Sequence, residues 1–373
     1  MDMSKQNYLV VVLVALLVIS GFALEGCYGA IPAAKGKSKD GYKAKTEEEL
    51  KAEKEEISKL IESKPDLVAE ETYTELEAPN MDLTIAVVSM LEEEGNLDIY
   101  LMDETGMNPR RLTNFPSGES FPSITNNGKR VYFISDLDGQ ERINPFQIYT
   151  EIYYIDVDTL EVTRLTYDNR MDLGLTVSDD GSKIVYITQE MGQEGYDYPQ
   201  MILMDGDGKN QKVIQDEALK NCIPKISGDG NWIAFNSYRH GPYDIFLMDI
   251  RDPENYSTKN LTNSYVSEYF PAINYDGTVI VYEKLLNGVQ DQTMYELYKI
   301  DRDGKNEVSL TNDKFCDSFP TFTKDGARII FVSTRWDWDD DGHLDEALFI
   351  MNIDGTNLQK ISKDPAYFDQ PDA

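Results

Sequence analysis

The sequence predicts an all-β chain: a six-bladed β-propeller closed by its C-terminal strand, preceded by a signal or lipoprotein segment and a short helix. Three observations point there. From about residue 83 the pattern repeats roughly every fifty residues, a period of blades or solenoid units. A very apolar strand occurs six times. The phrase that precedes it occurs in line only five times, and a fragment resembling the missing copy stands at the C-terminus.

Residues 1–26 read as a signal peptide: Lys5, an apolar run from Tyr8 to Leu24, then small residues. The run is nearly long enough to span a bilayer, so an uncleaved anchor is the alternative. "LEGC" (24–27) is similar to a bacterial lipoprotein cleavage box and makes Cys27 the candidate lipidation site, with Glu25 departing from the usual small or apolar residue. Residues 27–80 form a tether, Gly, Ala, Lys and Ser rich up to residue 45. Within it, 46–63 is predicted as a short helix, opened by the capping box Thr46–Glu49 and ended before Pro65. Residues 81–373 are the propeller.

Each blade is read as four strands. The opening phrase appears as "FPSITNNG" (121–128), "GLTVSDDG" (174–181), "IPKISGDG" (223–230), "FPAINYDG" (270–277) and "FPTFTKDG" (319–326). Proline is tolerated at the start of an edge strand, so this strand should be the innermost, facing the tunnel. The second strand, as in "VYFIS" (131–135) or "IIFVS" (329–333), is apolar on successive positions, so both its faces should be buried. The third is "IYLMD" (99–103) and its copies; the fourth ends in "RRLT" (110–113), "TRLT" (163–166), "KNLT" (259–262) or "VSLT" (308–311). Asp-Gly type turns join such strands up and down. Blade 1 lacks an inner strand, which "YFDQPDA" (367–373) should supply; otherwise the ring keeps open edges.

The unit P-x-x-[ST]-x-D-G-x-x-I-x-[FY]-x-S, followed by I-[FY]-x-M-D-x-x-G and L-T, resembles the TolB-type propeller repeat over residues 83–373. The resemblance implies a cell-envelope binding protein, as periplasmic TolB is the partner of a peptidoglycan-associated lipoprotein. Related propellers also occur in peptidases and lyases, so the fold alone names no activity. The α/β domain that precedes the TolB propeller has no counterpart in residues 28–82.

Chemistry is expected at one mouth. Glu119, Asp172, Asn221, Glu268 and Asp317 recur before the inner strands, with Asp369 near the same place in the C-terminal copy. They suggest a ring at the tunnel entrance for a cation or for the Lys and Arg side chains of a partner; the alternative is that each caps its own turn. The loops between second and third strands are acidic and aromatic, as in "LEEEGNLD" (91–98) and "TRWDWDDDGHLDEA" (334–347). In the latter, Asp337, Asp339 and Asp341 alternate before Gly342, with Asp345 and Glu346 following. That spacing is similar to a calcium loop, although position twelve is Leu348 and a solvated acidic turn is the other reading.

The net charge of −32 argues against nucleic-acid binding and suits cations or a basic partner. Two histidines, His240 and His343, are too few for a multi-histidine metal site, and no G-x-S-x-G elbow is present. Cys222 and Cys316 are too few and too far apart for a disulfide framework. The expected function is an envelope-located binding protein, periplasmic or membrane-anchored, that engages a protein or peptide at its acidic mouth, with calcium as the candidate cofactor. The alternatives are a glycan-acting lyase or hydrolase on the same fold, or a structural envelope scaffold. The anchor is testable directly: Cys27→Ser should abolish incorporation of a clickable fatty acid in a lipoprotein-processing host. A wild-type chain that takes up no label overturns the lipid reading.

Overall fold

The computed structural model describes residues 84–373 except 90–96, 104–105, 107–108, 138–148, 169, 190, 193–194, 197–198, 215–222, 240, 288–292, 314, 337–344 and 363–367. The signal segment, the tether and the helix expected at 46–63 lie outside the described residues. Six four-stranded antiparallel sheets follow one another. From the inner strand outward, blade 2 is Glu119–Ile124, Arg130–Ser135, Glu151–Asp156 and Val162–Arg164. Blade 3 is Met171–Val177, Lys183–Gln189, Gln200–Asp205 and Lys212–Val213. Blade 4 is Pro224–Ile226, Trp232–Ser237, Asp244–Asp249 and Ser257–Asn260. Blade 5 is Glu268–Ile273, Val279–Asn287, Thr293–Asp301 and Val308–Ser309; blade 6 is Asp317–Phe322, Arg328–Trp336, Asp345–Asn352 and Gln359–Lys360.

Blade 1 takes its inner strand, Phe368–Asp372, from the far end of the chain, and pairs it with Thr84–Ser89 before Asp98–Asp103 and Arg110–Arg111. Closure is therefore as expected. The register pairs Ser89 with Phe368, Val88 with Asp369 and Ala86 with Asp372.

The core lies between blades. Val131 and Phe133 pack toward blade 1, with Val88 and Leu101, while Tyr132 and Ile134 of the same strand pack toward blade 3, with Leu175 and Tyr186. Alternation on a strand sends neighbours to opposite faces, so a continuous apolar run serves two interfaces at once. The same division recurs around the ring, including the joint between blades 6 and 1 at Ile330, Val332, Ile85 and Val87. Each fully buried Phe or Ile contributes about 1.5–3 kcal/mol.

The repeated Leu-Thr has a defined task. The Thr113, Thr166, Thr262 and Thr311 hydroxyls accept from the third-strand N–H groups of Ile99, Ile152, Ile245 and Leu297 at 2.8–3.0 Å. Ser362 does this for Leu348 in blade 6. A fourth strand of two to four residues is thereby lengthened by a side-chain hydrogen bond. The third-strand turns lean on the preceding blade: a Cβ at Gly106 would lie 1.7 Å from the Ile361 carbonyl oxygen, so this close approach admits only glycine.

The prolines depart from expectation. Pro122, Pro271 and Pro320 sit inside their inner strands, not at the start, because pairing begins three residues earlier. The intervening register shift is a bulge, and its residues Phe121, Phe270 and Phe319 have φ of 51°, 43° and 51°. Positive φ is strained for a bulky side chain, and its recurrence marks the tunnel wall as a built feature. Pro224 alone of these opens its strand.

Deleting residues 367–373 should leave blade 1 with an unpaired edge and one interface uncovered. Calorimetry should show a large loss of melting temperature, or aggregation on expression. Unchanged unfolding would sink the closure account.

Candidate functional site

The recurrent carboxylates are not displayed at the mouth. Glu119, Asp172, Glu268 and Asp317 are each 0% exposed. Each stands first or second in an inner strand and faces the previous blade, where a third-strand acid stands at the facing position: Asp98, Glu151, Asp244 and Glu296. The expected ring around the entrance is instead a set of buried inter-blade polar clusters. Asn221 lies outside the described residues. In blade 1, Phe368 occupies the register position of the acid, opposite Ser89 as Glu119 is opposite Ser135, and Asp369 is displaced by one.

Each cluster is compensated differently. Glu119 accepts from Ser117 at 3.0 Å and Ser135 at 3.2 Å. Burial pushes its carboxyl up to about 8, the Asp98 charge adds to the rise, and hydroxyl hydrogen bonds oppose it. Glu268 lies 3.3 Å from the Lys284 ammonium; burial raises its carboxyl and Lys284 works against that rise. Asp317 takes both Nη2 contacts of Arg335, at 2.6 and 2.7 Å, and Asp313 holds Nη1 at 3.2 Å. Asp172 accepts from the Thr166 hydroxyl at 3.0 Å. Burial raises its carboxyl well above the ordinary range, and Asp168 adds to that.

The sequence reading missed Lys284 and Arg335. Both fall in stretches taken as a strand end or a mouth loop, yet both are buried. In blades 5 and 6 the second and third strands run beyond their core length, to Asn287 and Trp336, so part of the expected loops is hairpin. Between the second and third strands of blade 3 stands a further small hairpin, Met191–Gly192 with Gly195–Tyr196. Of the calcium-loop residues, Asp337, Asp339 and Asp341 lie outside the described residues. Asp345 begins the third strand of blade 6, and Glu346 beside it is half-buried, its carboxyl raised by burial. His240, His343, Cys222 and Cys27 also lie outside the described residues.

The tunnel wall carries a second set of equivalent positions, one residue after each proline or its counterpart: Ser123, Thr176, Lys225, Ala272, Thr321 and Asp372. Lys225 of blade 4 reaches Asp372 of the closing strand, across the ring, at 2.6 Å. The other Asp372 oxygen accepts from Ser123 Oγ at 3.2 Å and the Ile124 N–H at 2.9 Å. Lys324 of blade 6 donates to the Asn126 carbonyl of blade 2. The space left among these residues is about 60 Å³. That is room for a few waters, against about 300–1,000 Å³ for small-molecule pockets.

These features define a closed six-bladed propeller whose tunnel is bridged by an ion pair and a lysine–carbonyl hydrogen bond and whose blade joints are polar at one end. The chain belongs to the TolB β-propeller domain family, whose model matches residues 182–373. It is 27% identical over 185 residues to the Tol-Pal system protein TolB of Helicobacter hepaticus, covering 46% of this chain and 42% of that protein. It is 30% identical over 155 residues to a TolB homologue of Chlorobium chlorochromatii, covering 42% and 32%. An uncharacterised protein of Agrobacterium fabrum is 29% identical over 164 residues, 44% of this chain and 50% of that protein. The chain thus spans half or less of these curated relatives. The crystal structure of TolB from Acinetobacter baumannii aligns with a TM-score of 0.60 at 19% identity, over 78% of this chain and 66% of that one. That likeness speaks to fold.

Two outcomes follow from the clusters. Glu119 holds a proton in the folded state up to about pH 8 but releases it near 4.5 when unfolded. Its contribution is therefore full below 4.5 and lost as pH rises through 8. Glu119→Gln, which mimics the protonated acid, should melt like wild type near pH 4.5 and hotter at pH 8 and above; identical pH profiles would refute this. Arg335→Ala strands the fully buried Asp317 and should destabilise by about 3–5 kcal/mol in urea unfolding. A loss below about 1 kcal/mol would mean the pair is dispensable.

Proposed function

We propose that this chain is a cell-envelope binding protein, held at a membrane through Cys27 lipidation or an N-terminal anchor, that engages a protein or peptide partner on the acidic mouth of its propeller. The observation that carries this reading is the bridged tunnel: Lys225 and Asp372 meet across the ring and about 60 Å³ remains. Recognition on such a scaffold falls to the rim, where loops on rigid blades present side chains. The rim loops are acidic and aromatic, and the net charge of −32 favours a basic partner surface by electrostatic steering. Relatives named as TolB, one of them as a Tol-Pal system protein, support an envelope location and a protein partner. Calcium in the 337–346 loop belongs to the same proposal, since closely spaced carboxylates repel one another unless a cation joins them.

The test is capture from envelope extracts with the soluble 28–373 fragment. A protein should be recovered, less of it at high salt, and less again when Glu92, Glu93 and Glu94 are changed together to Gln. Recovery of polysaccharide alone would point to a glycan-acting protein, and recovery indifferent to both salt and the triple change would remove the acidic mouth from the account.

A further inference from the structure

Around half of the tunnel, side chains of one blade serve the backbone of the next. The donors are N–H groups of the inner strands, and the acceptors are the residues that follow the prolines or their counterparts. Asp372 Oδ2 accepts from the Ile124 N–H at 2.9 Å, Ser123 Oγ from that of Val177 at 3.1 Å, and Thr176 Oγ1 from that of Ile226 at 3.3 Å. Ile124, Val177 and Ile226 each precede the residue whose N–H bonds to the second strand, as Thr125 does to Arg130. Hydrogen-bonded positions alternate along an antiparallel pair, so these three N–H groups turn to the tunnel instead.

The other half of the ring lacks the acceptors. The next two positions are Lys225 and Ala272, and neither side chain can accept a hydrogen bond. The N–H groups that face them belong to Ile273 and Phe322. Both stand in the same register as Ile124: the Asn274 N–H bonds to the Val279 carbonyl and the Thr323 N–H to that of Arg328, so the N–H groups before them turn to the tunnel. Among the described residues neither finds an acceptor. Ile273 is 8% and Phe322 7% exposed. Buried N–H groups without partners are rare, whereas the carbonyls that face the same way tolerate it better.

The space of about 60 Å³ lies beside these two groups, lined also by Lys225, Thr321 and Lys324. Lys225 gives one hydrogen bond to Asp372, and Lys324 gives one to the Asn126 carbonyl. An ammonium has three donors, so both lysines keep others to give. The acids of this wall are already engaged. Asp372 is held by Lys225, Ser123 and Ile124. Asp179 accepts from Asn126 Nδ2 at 2.9 Å, and burial raises its carboxyl. Asp180, Asp229, Asp276 and Asp325 accept from N–H groups of their own turns.

We propose that the tunnel between blades 4, 5 and 6 holds a small-anion site, in which a halide or a formate-sized carboxylate accepts from the Ile273 and Phe322 N–H groups and from the Lys225 and Lys324 ammonium groups. The anion plays the part that Ser123 and Thr176 play in the other half of the ring. It sits beside the Lys225–Asp372 pair and leaves that pair in place. Ligands that need about 300 Å³ or more do not fit. The overall charge of −32 opposes anions at long range, but that field is screened beyond about 8 Å at physiological salt, so the local donors decide. Tyr275 and Lys324 are exposed where the space meets solvent, at the face of the inner-strand turns and opposite the rim loops. The site therefore goes beyond the rim reading and does not rest on it.

Formate, titrated against gluconate at constant ionic strength, should move the amide resonances of Ile273 and Phe322 saturably in isotope-labelled protein, and chloride should compete. Formate should also raise the melting temperature, since it binds the folded state alone. Ala272→Ser places a hydroxyl where blade 2 has that of Ser123. It should satisfy the Phe322 N–H and weaken formate roughly tenfold, the worth of one hydrogen bond to a charged group, with the fold unchanged. Lys324→Gln, at an exposed position, should weaken it by a similar factor. Amides of Ile273 and Phe322 that stay still in wild type overturn the proposal. So do shifts that survive both changes undiminished, which would mark a general effect of salt. Partner capture at the mouth is measured separately, and neither result decides the other.

Discussion

A four-stranded sheet with two apolar faces cannot stand in water by itself, and everything else in this protein follows from that constraint. Tyr132 and Phe133, adjacent in one strand, are each fully buried against different neighbouring blades. Every blade therefore needs two partners, and only a closed ring provides two partners for all. The strand Phe368–Asp372 closes that ring by completing blade 1, and it also brings the tunnel its one acid among the residues that follow the prolines.

That acid ties closure to the tunnel. Asp372 meets Lys225 from the opposite side of the ring, and Ser123 and Ile124 of blade 2 hold its other oxygen. The strand that closes the propeller thus also narrows its tunnel, through one side chain. A ligand that entered the tunnel would first have to replace a partly buried ion pair, which costs desolvated charge on both sides. This opposes binding inside the tunnel by anything too large to fit beside that pair.

The joints between blades are polar at one end for a related reason. Inner strands must start where the previous blade's outer strand has just ended, and the backbone there cannot complete a ladder. The Leu-Thr hydroxyl fills the missing acceptor in blade after blade. The carboxylate beside it is then enclosed, and each joint compensates it in its own way: hydroxyls for Glu119, Lys284 for Glu268, Arg335 for Asp317. Burial makes such compensation a requirement, since an unmatched buried charge costs several kcal/mol.

The sequence by itself determined the blade count, the four-strand unit and the closing segment, because these depend on local periodicity repeated six times. It showed that acids recur before the inner strands, but not that they turn away from the tunnel. Exposure is a property of which blade lies beside which, and that is set only when the ring closes. Arg335 and Lys284 were illegible for the same reason: a cation in an acidic stretch reads as a rim residue until the neighbouring blade places Asp317 or Glu268 against it. The prolines were misplaced by three residues because a bulge is a mismatch between two strands, and neither strand carries it alone. The equal spacing of Glu151, Asp168 and Asp172 with Glu296, Asp313 and Asp317 was present in the sequence throughout. Only the tertiary structure showed that each set converges on one joint, and that Arg335 contacts both aspartates of the second.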